Sequence, residues 1–231
     1  MTRRIVALGG GGFSNDPLDP AGRRLDQVVL DATGAARPRL LWIGTASGDA
    51  ETYALKFYQA FAGRAELDDL NLFERPRHPG LREFVLGFDA VYVGGGSTLN
   101  LMAVWRAHGL DAILAEAWDR GVVLAGMSAG MICWFEAPVT DSFGDGLRAI
   151  EGLGLLPGSA CAHGSDRPRR DAYAALVVGG VPGGYSADDG VALVFDGTEL
   201  VEAVADGASA SAGADRVTAG GLEPLAVRRL V

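Results

Sequence analysis

The densest chemistry in the chain lies in Leu124-Ala-Gly-Met-Ser-Ala-Gly-Met131, where Gly126-x-Ser128-x-Gly130 follows an apolar run and precedes another, Met131 to Phe135, that reads as helical. A serine between glycines two residues away on either side can occupy a sharp strand-to-helix turn, because its neighbours carry no bulk. A helix starting there points free N–H groups and a positive dipole end at the hydroxyl. The N–H of Ala129 is then placed to stabilise an oxyanion. The competing reading of the same residues is a tight turn kept small for packing.

A serine nucleophile needs a base. Only His78, His108 and His163 are present. His78 lies in the charged stretch Arg75-Pro-Arg-His-Pro79. His108 falls near the end of an expected helix, where a cation suits the dipole. His163 follows the strand-like Ser159-Ala-Cys-Ala162 and precedes Gly164-Ser-Asp-Arg167, the position of a base at a strand end. The carboxylate that orients the imidazole is sought among the acids after the serine. Asp188 and Asp189, just before the Val191 run, and Asp141 are the candidates. The order serine, histidine, aspartate differs from that of α/β-hydrolases, although Asp141 would restore it. No His-Gly-Gly-type oxyanion motif accompanies the serine.

Gly94-Gly-Gly-Ser-Thr-Leu-Asn100 ends one apolar run and opens a helix. Bare backbone there can approach a ligand closely, either as the other half of an oxyanion hole (Gly94, Gly95, Gly96) or as a phosphate loop. No Walker-type lysine or intact G-x-G-x-x-G accompanies it. Gly9 to Gly12 is a third cluster, a loop over the same cleft or a flexible turn. Arg167, Arg169 and Arg170 follow His163. Guanidinium forks bind carboxylates in pairs of hydrogen bonds, but charges at a solvated helix start are equally expected. Arg167, Arg170 and Asn100 are the candidate substrate-binding residues. Cys133, Trp42, Trp105 and Trp134 sit in apolar patterns and read as packing, as does Met127 unless it lines the pocket.

These residues need a scaffold that brings strand ends together. Short apolar runs (4–8, 39–43, 70–73, 88–93, 122–125) alternate with helical spacings near 20–33, on Tyr53, Phe57, Ala60 and Phe61, and over 98–119 with a break at Gly109. That alternation implies an α/β fold with a mainly parallel sheet flanked by helices on both faces. Ligands bind outside the carboxyl ends of such strands. Val191 to Phe195 and Leu200 to Ala203 flank Asp196-Gly197, which adds a C-terminal β-hairpin. Residues 205–215 form a loop, and Val217 and Leu222 to Leu230 read as closing edge strands. One domain over 1–231 is the simplest organisation.

Composition bounds the rest. The chain has 231 residues, 48% of them hydrophobic and 21% charged, which excludes intrinsic disorder. A net charge of -9 argues against nucleic acid or anionic membrane as partner. Two cysteines, Cys133 and Cys161, argue against a disulfide scaffold or a cysteine-rich zinc site. With no targeting segment and no apolar run of about 20 residues, a cytoplasmic protein is expected, as monomer or homodimer. Glycine, at 34 residues, is about twice ordinary usage, and its clusters fall at strand ends.

Val93-Gly-Gly-Gly-Ser-Thr98, Gly126-Met-Ser-Ala-Gly130 and a histidine some 35 positions later together resemble the serine peptidases related to dipeptidase E (aspartyl dipeptidase) and cyanophycinase. The resemblance runs from Ile5 to about Val204. It implies a class I glutamine-amidotransferase-like fold, with serine replacing cysteine at the elbow. It implies Ser128 as nucleophile, His163 as base, and an oxyanion hole from Gly94–Gly96 and Ala129, with no metal or cofactor. The third position, often glutamate in the family, matches Asp189 when Ala192-Leu-Val194 is aligned, or Asp188 after a shift of one; Asp141 stays on the list. His163 reaches Arg167 in four residues, a shorter segment than in dipeptidase E, so aspartyl specificity does not carry over. The substrate implied is a small peptide or amide, with Asp-X dipeptides among the candidates. An esterase-type or cyanophycinase-like hydrolase, or a non-catalytic small-molecule-binding protein of this fold, are the other classes.

Overall fold

A computed structural model describes residues 3–74 and 80–231; the stretch containing His78 lies outside the described residues. Five strands form the parallel heart of an eight-stranded sheet: β1 (Arg4–Leu8), β2 (Arg39–Ile43), β3 (Glu66–Leu70), β4 (Ala90–Val93) and β5 (Val123–Met127), in the spatial order β3-β2-β4-β5-β1. The register pairs Leu8 with Met127, Val93 with Gly126 and Ile43 with Val93, so the carboxyl ends of β1, β2, β4 and β5 finish level. Gly9, Gly44, Gly94 and Ser128 therefore leave the sheet side by side.

The helices between these strands obey local rules. α1 (Pro20–Ala32) opens on Asp19, whose carboxylate accepts the Gly22 N–H at 2.9 Å, with proline in the first turn. α2 (Glu51–Phe61) and the short α3 (Leu81–Val85) follow β2 and β3. α4 (Thr98–His108) is capped by Ser97, which accepts the Asn100 N–H, and stops at Gly109 with φ 68°. α5 (Leu110–Asp119) continues beyond that break.

Because successive strand residues face opposite sides, the apolar runs supply two cores. Val6, Leu8, Leu40, Trp42, Tyr92 and Met127 meet α1 and α2 through Leu25, Val29, Phe57 and Phe61. Ile5, Leu41, Val91, Val93 and Leu124 meet α4 and α5 on the other face through Leu101, Trp105, Leu114 and Trp118. Trp42, Trp105, Trp134 and Cys133 are all core residues, as their patterns predict.

The rest of that second face is closed differently from the sequence expectation. The helix expected over 131–135 stops early: α6 spans only Ala129–Ile132, and Phe135 already opens β6 (Phe135–Thr140). Cys133, Trp134 and Phe135 are completely buried, and Trp134 uses its carbonyl to accept the Leu156 N–H. β7 (Arg148–Ala149) and β8 (Leu156–Ala162) follow, then α7 (Arg167–Val178) and β9 (Gly184–Ala187). The hairpin is β10 (Val191–Asp196) and β11 (Glu199–Ala205), turning at Gly197 with φ 57°, and β10 lies antiparallel on β1. β12 (Ala214–Thr218) and β13 (Gly221–Pro224) belong to a second sheet ordered β13-β12-β9-β8-β6-β7, in which β13 is an edge strand but β12, paired on both sides, is not. β14 (Arg228–Arg229) ends the first sheet beside β11. Phe135, Leu156, Ala160 and Ala187 tie the second sheet to the apolar cluster of the first.

β3 also lies four residues earlier than the apolar run 70–73. It is an edge strand paired only with β2, and Glu66, Asp68 and Asp69 give it the charge that protects an exposed edge.

Candidate active site

Ser128 sits on the single residue between β5 and α6, with φ 55° and ψ -113°. Such a conformation costs a non-glycine residue on the order of 1–3 kcal/mol and persists only where the surroundings impose it. They do so here. The Ser128 N–H donates to the Leu8 carbonyl at 3.1 Å, and its carbonyl accepts from Met131 and Ile132. A Cβ at Gly126 would lie 2.4 Å from the Gly130 carbonyl oxygen, and one at Gly130 would lie 2.3 Å from that of Val93. Both glycines of the motif are thus required by backbone passing over backbone.

His163 follows β8 and also has a positive φ, 59°. Its N–H donates to the Gly9 carbonyl at 3.1 Å, and its carbonyl accepts from Asp166 N–H at 3.0 Å. The ring bridges two partners: Nε2 stands 2.8 Å from Ser128 Oγ, and Nδ1 stands 2.6 Å from Asp189 Oδ1. An ionised carboxylate only accepts, so Nδ1 carries the proton, and in the neutral ring Nε2 is left to accept from the serine hydroxyl. The hydrogen bond from His163 holds the Asp189 carboxyl below the usual range, against a smaller opposing effect of burial. Ser165 donates to the second oxygen, Oδ2, at 3.3 Å.

The alternative acids are engaged elsewhere. Asp188 turns to the far side, where its Oδ2 accepts the Gly213 N–H at 2.8 Å. Asp141 accepts from Arg169 Nη1 at 2.7 Å, and that guanidinium holds its carboxyl below the ordinary value. Arg169 also donates through Nε to the Ala162 carbonyl at 3.0 Å, so it braces the strand end that carries His163. Arg170 faces Asp215 at 3.4 Å, on the second sheet. Of the arginine candidates, Arg167 is exposed at the first position of α7. Asn100 is exposed in the first turn of α4.

The three glycines after β4 are not equivalent. Gly94 cannot donate to an oxyanion, since its N–H is committed to the Ile43 carbonyl at 3.0 Å, and a Cβ there would meet the Trp42 ring at 2.5 Å. Gly95 faces the serine: a Cβ there would be 3.2 Å from Ser128 Cβ and 3.6 Å from Oγ. Gly96 has φ 139° and passes so near Ala46 that a Cβ would lie 2.1 Å from its carbonyl oxygen. Across the site, Ala129 is the first residue of α6, and its N–H has no acceptor within the helix.

Of the Gly9–Gly12 cluster, Gly9 and Gly10 lie against His163 and Asp189, whereas Gly12 packs on Asp26. A Cβ on Gly10 would fall 1.9 Å from Asp189 Oδ1 and 3.0 Å from His163 Cε1, and the Gly10 carbonyl accepts the Gly190 N–H at 2.9 Å. Among the described residues no group of three or more His, Cys, Asp or Glu side chains is placed to hold a metal ion. No helix of the described residues is long and apolar enough to cross a membrane.

The profile of peptidase family S51 matches residues 5–203. The chain is 44% identical over 216 residues to the Bacillus subtilis (strain 168) protein named uncharacterized peptidase YgaJ, an overlap of 91% of this chain and 90% of that one. Its structure is similar to the crystal structure of a peptidase from an acI-B1 Actinobacterium, with TM-score 0.75 and 20% identity over 98% of this chain and 95% of that chain. A putative peptidase E from Listeria monocytogenes EGD-e is similar with TM-score 0.63 and 14% identity, over 87% of this chain and 98% of the other. These two likenesses bear on the fold: a mixed α/β architecture with large sheets flanked by helices.

Proposed function

Since this chain belongs to peptidase family S51 and is a serine peptidase, we propose that Ser128 is its nucleophile, His163 its general base and Asp189 the acid that orients the base. The observation that carries this assignment is the unbroken relay Ser128 Oγ, His163 Nε2, His163 Nδ1, Asp189 Oδ1, with links of 2.8 and 2.6 Å. As Oγ attacks the carbonyl carbon of the scissile bond, Nε2 takes its proton. The tetrahedral oxygen accepts from the N–H groups of Ala129 and of the Gly95–Gly96 turn. His163 returns its proton to the leaving amine. Water then attacks the acyl-enzyme by the same route in reverse.

The substrate we propose is a small peptide. The site is shallow at the base and acid, whose side chains remain 38% and 50% exposed. An Asp-X preference draws little support from the arginines, because Arg169 and Arg170 are paired with Asp141 and Asp215; Arg167 is the one left exposed to meet a substrate carboxylate. The unpaired Cys133 and Cys161 fit a compartment that keeps thiols reduced, and we place the protein in the cytoplasm. One apolar cluster running through both sheets supports a single domain over 1–231.

A fluorophosphonate probe is expected to label Ser128 in the wild type and not in His163→Ala, read by peptide mapping. Labelling of another residue, or undiminished labelling of the variant, would overturn the assignment. A dipeptide panel with Asp, Glu and neutral first residues then reads the preference directly. Asp141→Asn separates the acids: its kcat is expected to stay within about tenfold of wild type, since it breaks a contact to Arg169 rather than to the base. A loss as deep as that of an Asp189 variant would instead make Asp141 the orienting acid.

A further inference from the structure

Tyr53 has a hydroxyl that packing does not require. It lies in the first turn of α2, with its ring edge-on to Trp42 at 4.9 Å and 5.9 Å from Phe13. Phe57, one turn further along, stacks on the same Trp42 ring at 5.3 Å without any hydroxyl. The Tyr53 oxygen accepts the Gly95 N–H at 3.3 Å and donates to Met127 Sδ at 3.0 Å, with the Ser14 side chain also in reach. Gly95 and Met127 are the residues that flank the serine from β4 and β5.

We propose that the Tyr53 hydroxyl is a further donor to the oxyanion, holding in the resting enzyme the Gly95 N–H that the substrate oxygen will take over. This rests on the serine-peptidase site proposed above. A thioether is a weak acceptor, so turning the O–H away from Met127 costs little. An O–H donated to an oxyanion is a charge-assisted bond and roughly twice as strong as a neutral one. When the tetrahedral oxygen forms, Gly95 N–H passes to it from the phenol oxygen, and the phenol O–H turns from sulfur to the same oxygen. Burial raises the phenol above its ordinary titration range, which keeps the proton on the donor through neutral and mildly alkaline pH. No bond is made or broken by Tyr53, and no proton leaves it.

Tyr53→Phe keeps the ring and removes the hydroxyl alone. The expected result is a fall in kcat of about 10²-fold, the loss typical of one oxyanion donor, with KM little changed. A peptide boronic acid, which forms a tetrahedral adduct on the serine, is expected to bind Tyr53→Phe more weakly by a similar factor. Binding of an uncleaved dipeptide, compared between Ser128→Ala and Ser128→Ala/Tyr53→Phe by calorimetry, is expected to stay within about twofold, because ground-state binding does not use the donor. The proposal is overturned if Tyr53→Phe keeps the wild-type kcat or exceeds it, the latter meaning that the hydroxyl only obstructs. It is equally overturned if dipeptide and boronate binding weaken together, or if the thermal midpoint falls enough to account for the loss. Full activity in Ser128→Ala would instead sink the serine-peptidase site itself.

Discussion

Ser128→Ala is expected to lower kcat by about 10⁶-fold, the loss found when the nucleophile of a serine triad is removed, with a residual rate about 10³–10⁴ over water from the oxyanion donors and binding alone. Removal leaves Ala129 N–H, Gly95 and the His163–Asp189 pair in place, so peptide binding should survive. On the proposed assignment His163→Ala is expected to match this loss, because a base and its nucleophile act as one unit, and Ser128→Ala/His163→Ala should be little worse than either single variant. Single-turnover kinetics with a dipeptide read all three. Losses that multiplied in the double variant would mean that the two residues do not share a step.

The second large effect is expected at Asp189. Asp189→Asn should reduce kcat by about 10⁴-fold while the protein folds normally. The carboxylate accepts Nδ1–H and so leaves Nε2 free to take the serine proton. An amide offers an N–H to Nδ1, which favours the tautomer with the hydrogen on Nε2, facing a hydroxyl it can no longer deprotonate. Gly10→Ala should give a related loss by another path, since its methyl would occupy the place of Asp189 Oδ1. The pH dependence carries a defined sign. The folded-state value of Asp189 is depressed, so its contribution to stability is present above its unfolded value of about 3.9 and is lost as pH falls through the depressed folded value. Acidification from neutrality down to about pH 5 should therefore not weaken the fold through Asp189. Thermal midpoints measured over that range for wild type and Asp189→Asn should keep a constant separation; a wild-type curve that loses its advantage near pH 6 would show that the carboxylate is not held down.

The parallel heart of the fold was legible because β1, β2, β4 and β5 are buried on both faces and appear as unbroken apolar runs. The serine turn was legible because backbone crowding admits only glycine at 126 and 130. β3 escaped detection in its true register because an edge strand spends its side chains on solvent. The second sheet was illegible as a sheet: β9 is Gly184-Tyr-Ser-Ala187 and β12 carries Asp215 and Arg216, so neither presents an apolar run or a clean alternation. Asp189 could not be separated from Asp188 by spacing alone. The separation lies in the loop at 206–213, which returns to take the Asp188 side chain on Gly213 N–H. Tyr53 had no signal beyond helical packing, since its hydroxyl matters only once β4 and β5 bring Gly95 and Met127 beneath it.

The position of β1 has a consequence for how the molecule comes into being. It precedes the other described strands in the chain, yet it lies between β5 and β10. A chain synthesised only as far as residue 185 already contains Ser128 and His163. It lacks Asp189, the Gly190 N–H that anchors Gly10, and the strand that closes β1 on its second side. The relay thus closes only once residues 187–191 have met residues 9–10, segments about 180 positions apart in the chain. The site proposed on Ser128 and His163 therefore assembles only when an early and a late segment of the chain have met.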